Sequence, residues 1–454
     1  MEKIIVPGPK TIKLIERHQK VLAATTHDAN FSVSIERGEG IYVWDLDGNK
    51  YIDCFTQVAI ADIGHCHPKV VRAVNRQAKK LMACIGTDVY SLAQVEAAEK
   101  LAEIAKKSFP QQDWRVYFCS SGGEANNAAI KLLIDRRPQR KRFISFLGAF
   151  HGRFGYALDV ASSKSLHKRD YPEALPVIRL PYPDCQHCAY EKKEHNCSQF
   201  CIRFIEKEYL GRLCDPEEIN GVIIEPIQGE GGFIVPNASA IRKLHEFCKK
   251  YDWALIADEV QTGLGRTGKM FAIENFGVKP DIICLAKKLG SGVPIGAIVF
   301  PSDWNFTKSG RHSTTFGGGP LGWVSAKATL EVIEEENLVA NAAKTGAYFI
   351  ERLNEIQVRF NNCGGNHAGY ISYVRGLGLM IGVEFIDKDG GPNPKLRTAV
   401  ICECLKNGII PLAAGHPQRN PIIRFLTPLC VTEADINEIA SRFEKALNNA
   451  KAAI

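Results

Sequence analysis

Two short apolar segments of this chain each lead into a charged side chain that could do chemistry. Residues 253–257 (WALIA) lead to Asp258, and residues 282–286 (IICLA) lead to Lys287. Each segment has the length and flanks of a strand buried on both faces, as in a parallel sheet covered by helices. Burying a carboxylate or an ammonium is costly unless the charge is partnered, so a chain that does this twice is expected to use both charges.

A cofactor that needs one anion and one amine would explain this pair. Pyridoxal phosphate is such a cofactor, because an Asp keeps its ring nitrogen protonated, which makes the ring an electron sink, and a Lys amine condenses with its aldehyde. Taken singly, an acid such as Asp258 is more often a solvated loop residue and a lysine such as Lys287 more often an ordinary surface residue. Lys288 is a rival to Lys287, and sequence chemistry does not separate the two.

The residues around this pair resemble the class III aminotransferases, the ω-aminotransferase family of 4-aminobutyrate and ornithine aminotransferases. Residues 258–268 (DEVQTGLGRTG) and 286–290 (AKKLG) carry the resemblance, which covers essentially residues 35–450. The family's Ala-Lys order favours Lys287. The G-x-G-x-x-G match at residues 263–268 is interpreted as a loop, because a charged, Thr-containing stretch follows it instead of a clear apolar helix.

This resemblance implies an α/β protein of the fold-type I pyridoxal-phosphate transferases. A mainly parallel central sheet is expected in a large domain, and a smaller α+β domain is expected from both chain ends. The predicted boundaries are residues 1–75 for the N-terminal part of the small domain, 76–335 for the large domain and 336–454 for the C-terminal part. The alternation of helices and short apolar strands from about residue 90 fits a βαβ sheet.

Composition limits the class of protein. The chain has 454 residues, 45% of them hydrophobic and 24% charged, which suits a two-domain globular enzyme. The net charge of +7 comes without a long block of like charges, so no nucleic-acid partner is expected. No apolar run approaches a membrane span and the N-terminus lacks a signal-peptide core, so we expect a cytoplasmic protein.

A glycine-containing turn follows the predicted strand 115–119. Backbone N–H groups at such a strand-to-helix turn, with the positive end of the helix dipole, would bind a phosphate. Ser121, Gly122 and Gly123 are therefore the predicted phosphate binders, although the turn alone could be an ordinary helix N-cap. It is similar to the family's Ser-Gly-Ala-Glu-Ala motif, with Gly123 in place of the usual Ala.

The resemblance implies further cofactor contacts. Phe150, which precedes His-Gly, is expected to stack on the pyridine ring, and Gln261 is expected to contact the ring's hydroxyl oxygen. Thr315 lies in a loop like the family's Thr-Phe-Gly-Gly-Asn-Pro, with Gly319 in place of Asn. The family's Thr reaches the phosphate bound by the neighbouring subunit, which implies a homodimer with shared active sites. A tetramer is the alternative assembly.

Substrate contacts also come from the resemblance. Val58 is expected to line the pocket, and Arg153 matches the arginine that binds the distal carboxylate in 4-aminobutyrate aminotransferases. Glu225 is expected on the cofactor side of the pocket. Glu230 is expected to pair with Arg424, the arginine that binds the α-carboxylate of 2-oxoglutarate and glutamate.

Four cysteines in residues 182–201 interrupt the helix–strand alternation. Cys185 and Cys188 form a C-x-x-C pair, and Cys197 and Cys201 form a C-x-x-x-C pair, so four thiolates are available for a metal or an iron–sulfur cluster. Free thiols or a loop disulfide are the alternatives, because the gap between the pairs is short for a zinc ribbon. The His65-Cys66-His67 sequence is interpreted as turn and packing residues.

These features predict a pyridoxal-phosphate aminotransferase. Lys287 would hold the cofactor as an imine and then move a proton, and Asp258 would keep the ring nitrogen protonated. The expected substrates are an ω-amino donor such as 4-aminobutyrate, ornithine or lysine and the acceptor 2-oxoglutarate, in a ping-pong reaction. A racemase or epimerase of the same family is the nearest alternative. A non-catalytic binding protein on the same scaffold is disfavoured because Lys287, Asp258 and Phe150 are all present.

Overall fold

The computed structural model describes residues 4–26, 32–192, 197–362 and 369–453. The chain divides into two compact units, which we call the terminal unit (Met1–His67 with Asn341–Ile454) and the central unit (Pro68–Ala340). The predicted boundary after residue 75 falls inside the helix Pro68–Lys80. That helix stays whole in the central unit, where Lys69 Nζ lies 2.7 Å from both Glu331 Oε2 and Glu335 Oε1.

The helices and strands follow the predicted alternation. The N-terminal elements are α1 (Pro9–Val21), β1 (Arg37–Glu39), β2 (Tyr42–Trp44), β3 (Lys50–Asp53) and α2 (Thr56–Ala59). The central elements are α3 (Pro68–Lys80), α4 (Leu92–Ser108), β4 (Trp114–Cys119), α5 (Gly122–Arg136), β5 (Arg142–Phe146), α6 (Gly155–Val160), β6 (Val177–Leu180), α7 (Phe200–Phe204), β7 (Ile219–Ile224), α8 (Ala238–Lys250), β8 (Ala254–Asp258), β9 (Ile282–Leu285), β10 (Gly296–Pro301) and α9 (Gly319–Glu335). The C-terminal elements are α10 (Leu338–Asn362), β11 (Tyr370–Leu377), β12 (Met380–Ile386), α11 (Pro394–Lys406), β13 (Ile409–Ile410), β14 (Leu412–Ala414), β15 (Ile422–Phe425) and α12 (Glu433–Ala453).

The sheet of the central unit has the strand order β4-β10-β9-β8-β7-β5-β6. Strands β9, β8, β7, β5 and β6 are parallel, and β10 runs antiparallel to both β9 and β4. The mainly parallel sheet is confirmed. Every residue of β7, β8, β9 and β10 is buried, because helices cover both faces of this sheet.

Helix α5 follows β4 and packs on the sheet with a face of small residues. Ala125, Ala128 and Ala129 are fully buried, and they belong to one hydrophobic cluster with Ile256 of β8 and Cys284 of β9. Small side chains let the helix approach the strands closely. The helix start at Gly122 therefore lies close to the ends of β8 and β9.

The terminal unit contains two small sheets. Strands β2 and β3 form a hairpin that turns at Asp47-Gly48, and β13 adds in parallel to β3. The other sheet is antiparallel in the order β11-β12-β15-β14. Arg424 of β15 lies in it opposite Gly382 on one side and Leu412 on the other.

The four residues of α2 form a left-handed turn. Their φ angles are 46°, 54°, 62° and 64° from Thr56 to Ala59, a region that is strained for a β-branched side chain such as Val58. The buried Asp53 holds the entry to this turn, because its Oδ1 accepts from the backbone N–H of Phe55 and of Thr56. His65 Nε2 lies 2.7 Å from Asp53 Oδ2, which agrees with a turn-bracing role for this histidine.

Among the helices of the described ranges, none combines the length and the apolarity needed to cross a bilayer.

Candidate active site

Five strands of the central unit deliver predicted site residues to one edge of the sheet. Ser121 follows β4, Phe150 follows β5, Glu225 follows β7, Asp258 ends β8 and Lys287 follows β9. All five strands point the same way, since β4 and β9 are both antiparallel to β10. The carboxyl ends of parallel strands are the usual location of ligand sites in open α/β sheets.

Asp258 is held rigidly as a hydrogen-bond acceptor. Its side chain is buried, and its Oδ2 accepts from Asn126 Nδ2 and lies 2.7 Å from His151 Nδ1. Its Oδ1 accepts from the backbone N–H of Val260 at 3.1 Å. Three such contacts keep the orientation of the carboxyl group fixed.

Asn126 and His151 are functional residues that the sequence reasoning missed. Both are buried, and Asn126 Nδ2 also donates to the carbonyl oxygen of His151 at 2.7 Å, which closes a small network around Asp258. His151 belongs to the quoted Phe-His-Gly sequence, so its position directly after a strand end was the available signal. Asn126 lies one turn into α5 and carries no comparable signal.

The glycine turn between β4 and α5 has the geometry of an anion site. Ser121 caps the helix, its Oγ accepting from the backbone N–H of Glu124, and α5 begins at Gly122. A Cβ added to Gly122 would lie 2.8 Å from Val260 Cγ1 and 3.5 Å from Ala286 Cβ. The turn therefore contacts both the loop after Asp258 and the residue before Lys287, which brings the predicted phosphate binders, acid and amine together.

The position of the Phe154 ring explains why residue 123 is a glycine. A Cβ at this position would come within 2.9 Å of Phe154 Cε1. Glycine in place of the family's alanine thus leaves room for the Phe154 ring. The backbone donor at this position is unchanged by the substitution.

Glu225 braces the loop that carries Phe150. Its Oε1 accepts from the backbone N–H of Phe150 at 2.8 Å, and its Oε2 accepts from that of Gly229 at 2.9 Å. Burial raises the pKa of Glu225 from 4.5 to about 7; the Asp258 carboxylate adds to the rise, and His151 and the two N–H donors oppose it. Glu225 is therefore a positioning residue beside the predicted cofactor ring.

The raised pKa of Glu225 predicts a pH-dependent stability. A folded-state pKa above the unfolded one means that the folded protein binds more protons between pH 4.5 and about pH 7, so this group destabilises the fold as pH rises through that window. Glu225→Gln has no such ionisation cost. As the pH rises from 5 to 8, the unfolding free energy of this variant should fall less than that of wild type. The difference should be on the order of 3 kcal/mol, because one pKa unit corresponds to 1.36 kcal/mol.

Denaturant unfolding at the two pH values measures this difference. Glu217→Gln, an exposed glutamate of the same unit, is the control and should keep the wild-type pH dependence. Equal pH dependence of Glu225→Gln and wild type would contradict the assignment.

The structure places Lys287 and Lys288 in different environments. Lys288 is fully buried, and its Nζ donates to the carbonyl oxygens of Gln261 and Gly263, each at 2.8 Å. Its ammonium is thus engaged in holding the loop after β8. Lys287 is half-buried at the start of a 3₁₀ turn, with a φ of 49° that turns the chain sharply after β9.

Comparison with known proteins identifies the family of this chain. The family model described as aminotransferase class-III matches residues 23–447. This chain is a class III aminotransferase family member. It is 38% identical to the acetylornithine aminotransferase of Archaeoglobus fulgidus, over 93% of this chain and 97% of the relative. It is 35% identical to the alanine/serine racemase of Pyrococcus horikoshii, over 98% of this chain and 93% of the relative.

A solved structure agrees with this placement. The ornithine aminotransferase of Toxoplasma gondii, described with pyridoxal phosphate at partial occupancy in its active site, is 27% identical. The match has a TM-score of 0.82 and covers 98% of this chain and 95% of that chain. The family and the fold-type I α/β architecture predicted from the sequence are therefore confirmed, and the cofactor of this class III enzyme is pyridoxal phosphate.

The site of this class III enzyme fits that cofactor. Gln261 is the residue expected to contact the ring's hydroxyl oxygen, and its Oε1 is buried without a hydrogen-bond partner in the described part of the chain. A buried unsatisfied oxygen is costly, and a ligand hydroxyl would satisfy it. The half-buried helix start at Gly122 would take the phosphate, and the fixed carboxylate of Asp258 would face the ring nitrogen.

Of the remaining predicted residues, three lie in the central unit and two in the terminal unit. Arg153 is exposed, with its Cζ 5.8 Å from the centroid of the Phe150 ring. Glu230 is half-buried after β7, and Thr315 is exposed in the loop before α9. Val58 lies in the left-handed turn of the terminal unit, and Arg424 lies in the β15 strand of the same unit, 4% exposed.

The Gly-rich loop before α9 does not need the asparagine that the family has at Gly319. Gly317, Gly318 and Gly319 have φ angles of 49°, 80° and 59°, which glycine adopts without strain. The loop is held instead by Trp323, whose Nε1 donates to the carbonyl oxygen of Gly317 at 2.8 Å.

Proposed function

We propose that this enzyme transfers an amino group from an ω-amino acid, such as 4-aminobutyrate, ornithine or lysine, to 2-oxoglutarate in a ping-pong reaction. The observation that carries the proposal is the exposed guanidinium of Arg153 beside the Phe150 ring. A cation beside the proposed ring position favours a substrate with a carboxylate distant from its reacting amine.

The chain's own residues supply positioning and proton transfer. Pyridoxal phosphate, when bound, supplies an aldehyde that joins to amines and a ring that withdraws electrons. We propose that Lys287 Nζ is the covalent anchor and afterwards carries the proton that leaves the substrate carbon. Asp258 holds the proton on the ring nitrogen, and Ser121, Gly122 and Gly123 bind the phosphate.

Two carboxylate positions require two cationic subsites. Arg153 is proposed to bind the distal carboxylate of the amino donor, and Arg424 to bind the α-carboxylate of 2-oxoglutarate. Arg424 is a buried arginine within a strand, and a buried guanidinium is suited to a desolvated, bidentate carboxylate contact. Glu230 is proposed to pair with Arg424 when no α-carboxylate is bound, and Val58 to line the pocket.

The proposed assembly is a homodimer with shared active sites. Thr315 and its neighbour Phe316 are exposed in the single chain, Phe316 by 74%. An exposed large aromatic beside a polar side chain that the family uses across a subunit boundary fits a contact with a second copy of this chain.

Racemisation of an amino acid is the second candidate function. The 35% identity to the alanine/serine racemase of Pyrococcus horikoshii favours it, since both chains are matched almost in full. The same lysine and aspartate serve both reactions. The outcome depends only on which atom regains the proton.

One screen distinguishes these functions. Purified enzyme loaded with pyridoxal phosphate is given each ω-amino donor with 2-oxoglutarate, and glutamate formation is measured; L-alanine and L-serine without an oxo acid are assayed for the D-isomer. We expect glutamate from an ω-amino donor. Formation of D-isomer without glutamate would replace the proposal by the racemase function, and neither product would contradict both.

Two arginine variants in the same screen test the subsites. Arg424→Ala should slow the 2-oxoglutarate half-reaction roughly 10- to 100-fold, the loss of one charge-assisted carboxylate contact, and should leave the 4-aminobutyrate half-reaction near wild type. Arg153→Ala should slow both half-reactions, because 2-oxoglutarate as well as 4-aminobutyrate carries a carboxylate distant from its reacting carbon. Equal damage to both half-reactions by Arg424→Ala, or damage to only one of them by Arg153→Ala, would contradict the assignment.

A further inference from the structure

The four cysteines of residues 182–201 surround one small cavity in the central unit. Cys185, Cys188, Cys197 and Cys201 all line it, and its volume is about 20 Å³. Cys201 also interacts electrostatically with each of the other three. Two pairs that are separated along the chain are thus gathered around a space that holds one water-sized sphere.

The segment is anchored on both sides of the cavity. Asp184 Oδ1 accepts from the backbone N–H of Gln186 and His187, which forms a tight turn around the first pair. Between the two cysteines of the second pair, Gln199 Nε2 donates to Ser239 Oγ at the start of α8. These bonds hold the pairs against the unit.

Thiol chemistry and cavity size together select a ligand. Tetrahedral sites of four sulfur atoms hold zinc or iron–sulfur clusters, and ligand pairs two to four residues apart in the C-x-x-C manner are typical of zinc. A cavity of about 20 Å³ matches a single ion better than a cluster of several iron and sulfide atoms. Cys188, Cys197 and Cys201 are free thiols, so the alternative of a disulfide is not realised for them.

We propose that Cys185, Cys188, Cys197 and Cys201 form a structural site for one Zn²⁺ ion. The site lies outside the catalytic residues, and it is connected to them by Tyr182, whose hydroxyl donates to the carbonyl oxygens of Glu225 and Pro226. Zinc would hold the loop that follows Tyr182. It would therefore also stabilise the segment in which Glu225 supports Phe150.

Binding requires a modest closure of the four side chains. Within the described residues no group of three or more cysteine, histidine or carboxylate side chains is already arranged to hold a metal ion. In a tetrahedral site with Zn–S distances of about 2.3 Å the sulfurs are about 3.8 Å apart. Zinc binding would require rotation of the cysteine side chains around the cavity, and each thiol would release its proton to solvent as the Zn–S bond forms, with no change in oxidation state.

The test measures metal bound by the full-length, reduced enzyme. After incubation with zinc chloride and gel filtration, elemental analysis should find about one zinc per chain, and Cys188→Ser/Cys201→Ser should retain roughly tenfold less. Cys66→Ser/Cys402→Ser removes two exposed cysteines outside the cavity and should retain the wild-type amount. Cys201→His, which keeps a zinc ligand, should recover most of the binding that Cys201→Ser loses.

Cobalt substitution of the wild-type enzyme gives a readout that does not depend on how the variants fold. Co²⁺ bound by four thiolates should show intense thiolate-to-cobalt charge-transfer absorption and the visible bands of a tetrahedral site. Absence of these bands, zinc retention equal in the cavity and control variants, or no zinc in reconstituted wild type would each overturn the proposal. Pyridoxal-phosphate chemistry is measured separately, so either result leaves the proposed aminotransferase function untouched.

Discussion

Lys287→Ala is expected to abolish covalent attachment of pyridoxal phosphate and to lower kcat by about 10³-fold or more, the range lost when a nucleophile and proton carrier is removed. Lys287 follows β9 at the edge where Asp258 and the Gly122 turn meet. The measurement is borohydride reduction of the loaded enzyme followed by mass analysis of the chain, alongside kcat for the best donor. Wild type should gain the mass of the reduced cofactor and Lys287→Ala should not.

Lys288→Met is the matched control. It removes the adjacent ammonium, which donates to the carbonyl oxygens of Gln261 and Gly263, and it leaves both acceptors buried without that donor. Its thermal midpoint should fall, while the fraction that remains folded should still be labelled by borohydride. If Lys288→Met lost the label and Lys287→Ala kept it, the roles assigned to the two lysines would be reversed.

Asp258→Asn is expected to lower kcat by about 10²- to 10³-fold, the cost of removing one fixed electrostatic partner from a desolvated site. The carboxylate has both oxygens accepting, Oδ2 from Asn126 with His151 beside it, and Oδ1 from Val260. An amide turns one of these acceptors into a donor, so it loses the charge and also mismatches the network in either orientation. Steady-state kcat and the absorption spectrum of the loaded variant are the measurements.

Asp281→Asn separates this effect from general destabilisation. Asp281 lies before β9, at the opposite edge of the sheet, and its Oδ2 accepts from the backbone N–H of Leu255. The variant exchanges a comparable buried carboxylate for an amide whose oxygen still accepts from Leu255, so kcat per folded enzyme should stay at the wild-type level. A kcat loss of the same size in both variants would show that Asp258 acts only through the fold.

The local elements around the site were predictable from the chain alone. The apolar runs before Asp258 and Lys287, the glycine turn after residues 115–119 and the Asp47-Gly48 hairpin all have short-range signals, and the structure contains each of them. Such signals are strong because strand burial and turn geometry depend on neighbouring residues.

Longer-range features were not predictable in the same way. The position of β10 between β4 and β9, antiparallel to both, depends on pairing among strands far apart in sequence. The Asn126–His151–Asp258 network joins three separate elements, and Glu225 supports Phe150 from another strand. No local pattern encodes which polar groups meet when those elements pack.

The amino-acid sequence by itself indicated the class of chemistry, because the acid, the amine and the glycine turn lie in segments that resemble the class III aminotransferases. Tertiary structure decided between chemically equal candidates. Lys288 donates to two backbone carbonyl oxygens, so Lys287 is the better candidate for the amine that binds the cofactor. Four cysteines in two pairs share one cavity. The physical reason is that hydrogen-bond partners and burial are properties of the packed chain, whereas residue type and spacing are properties of the unfolded one.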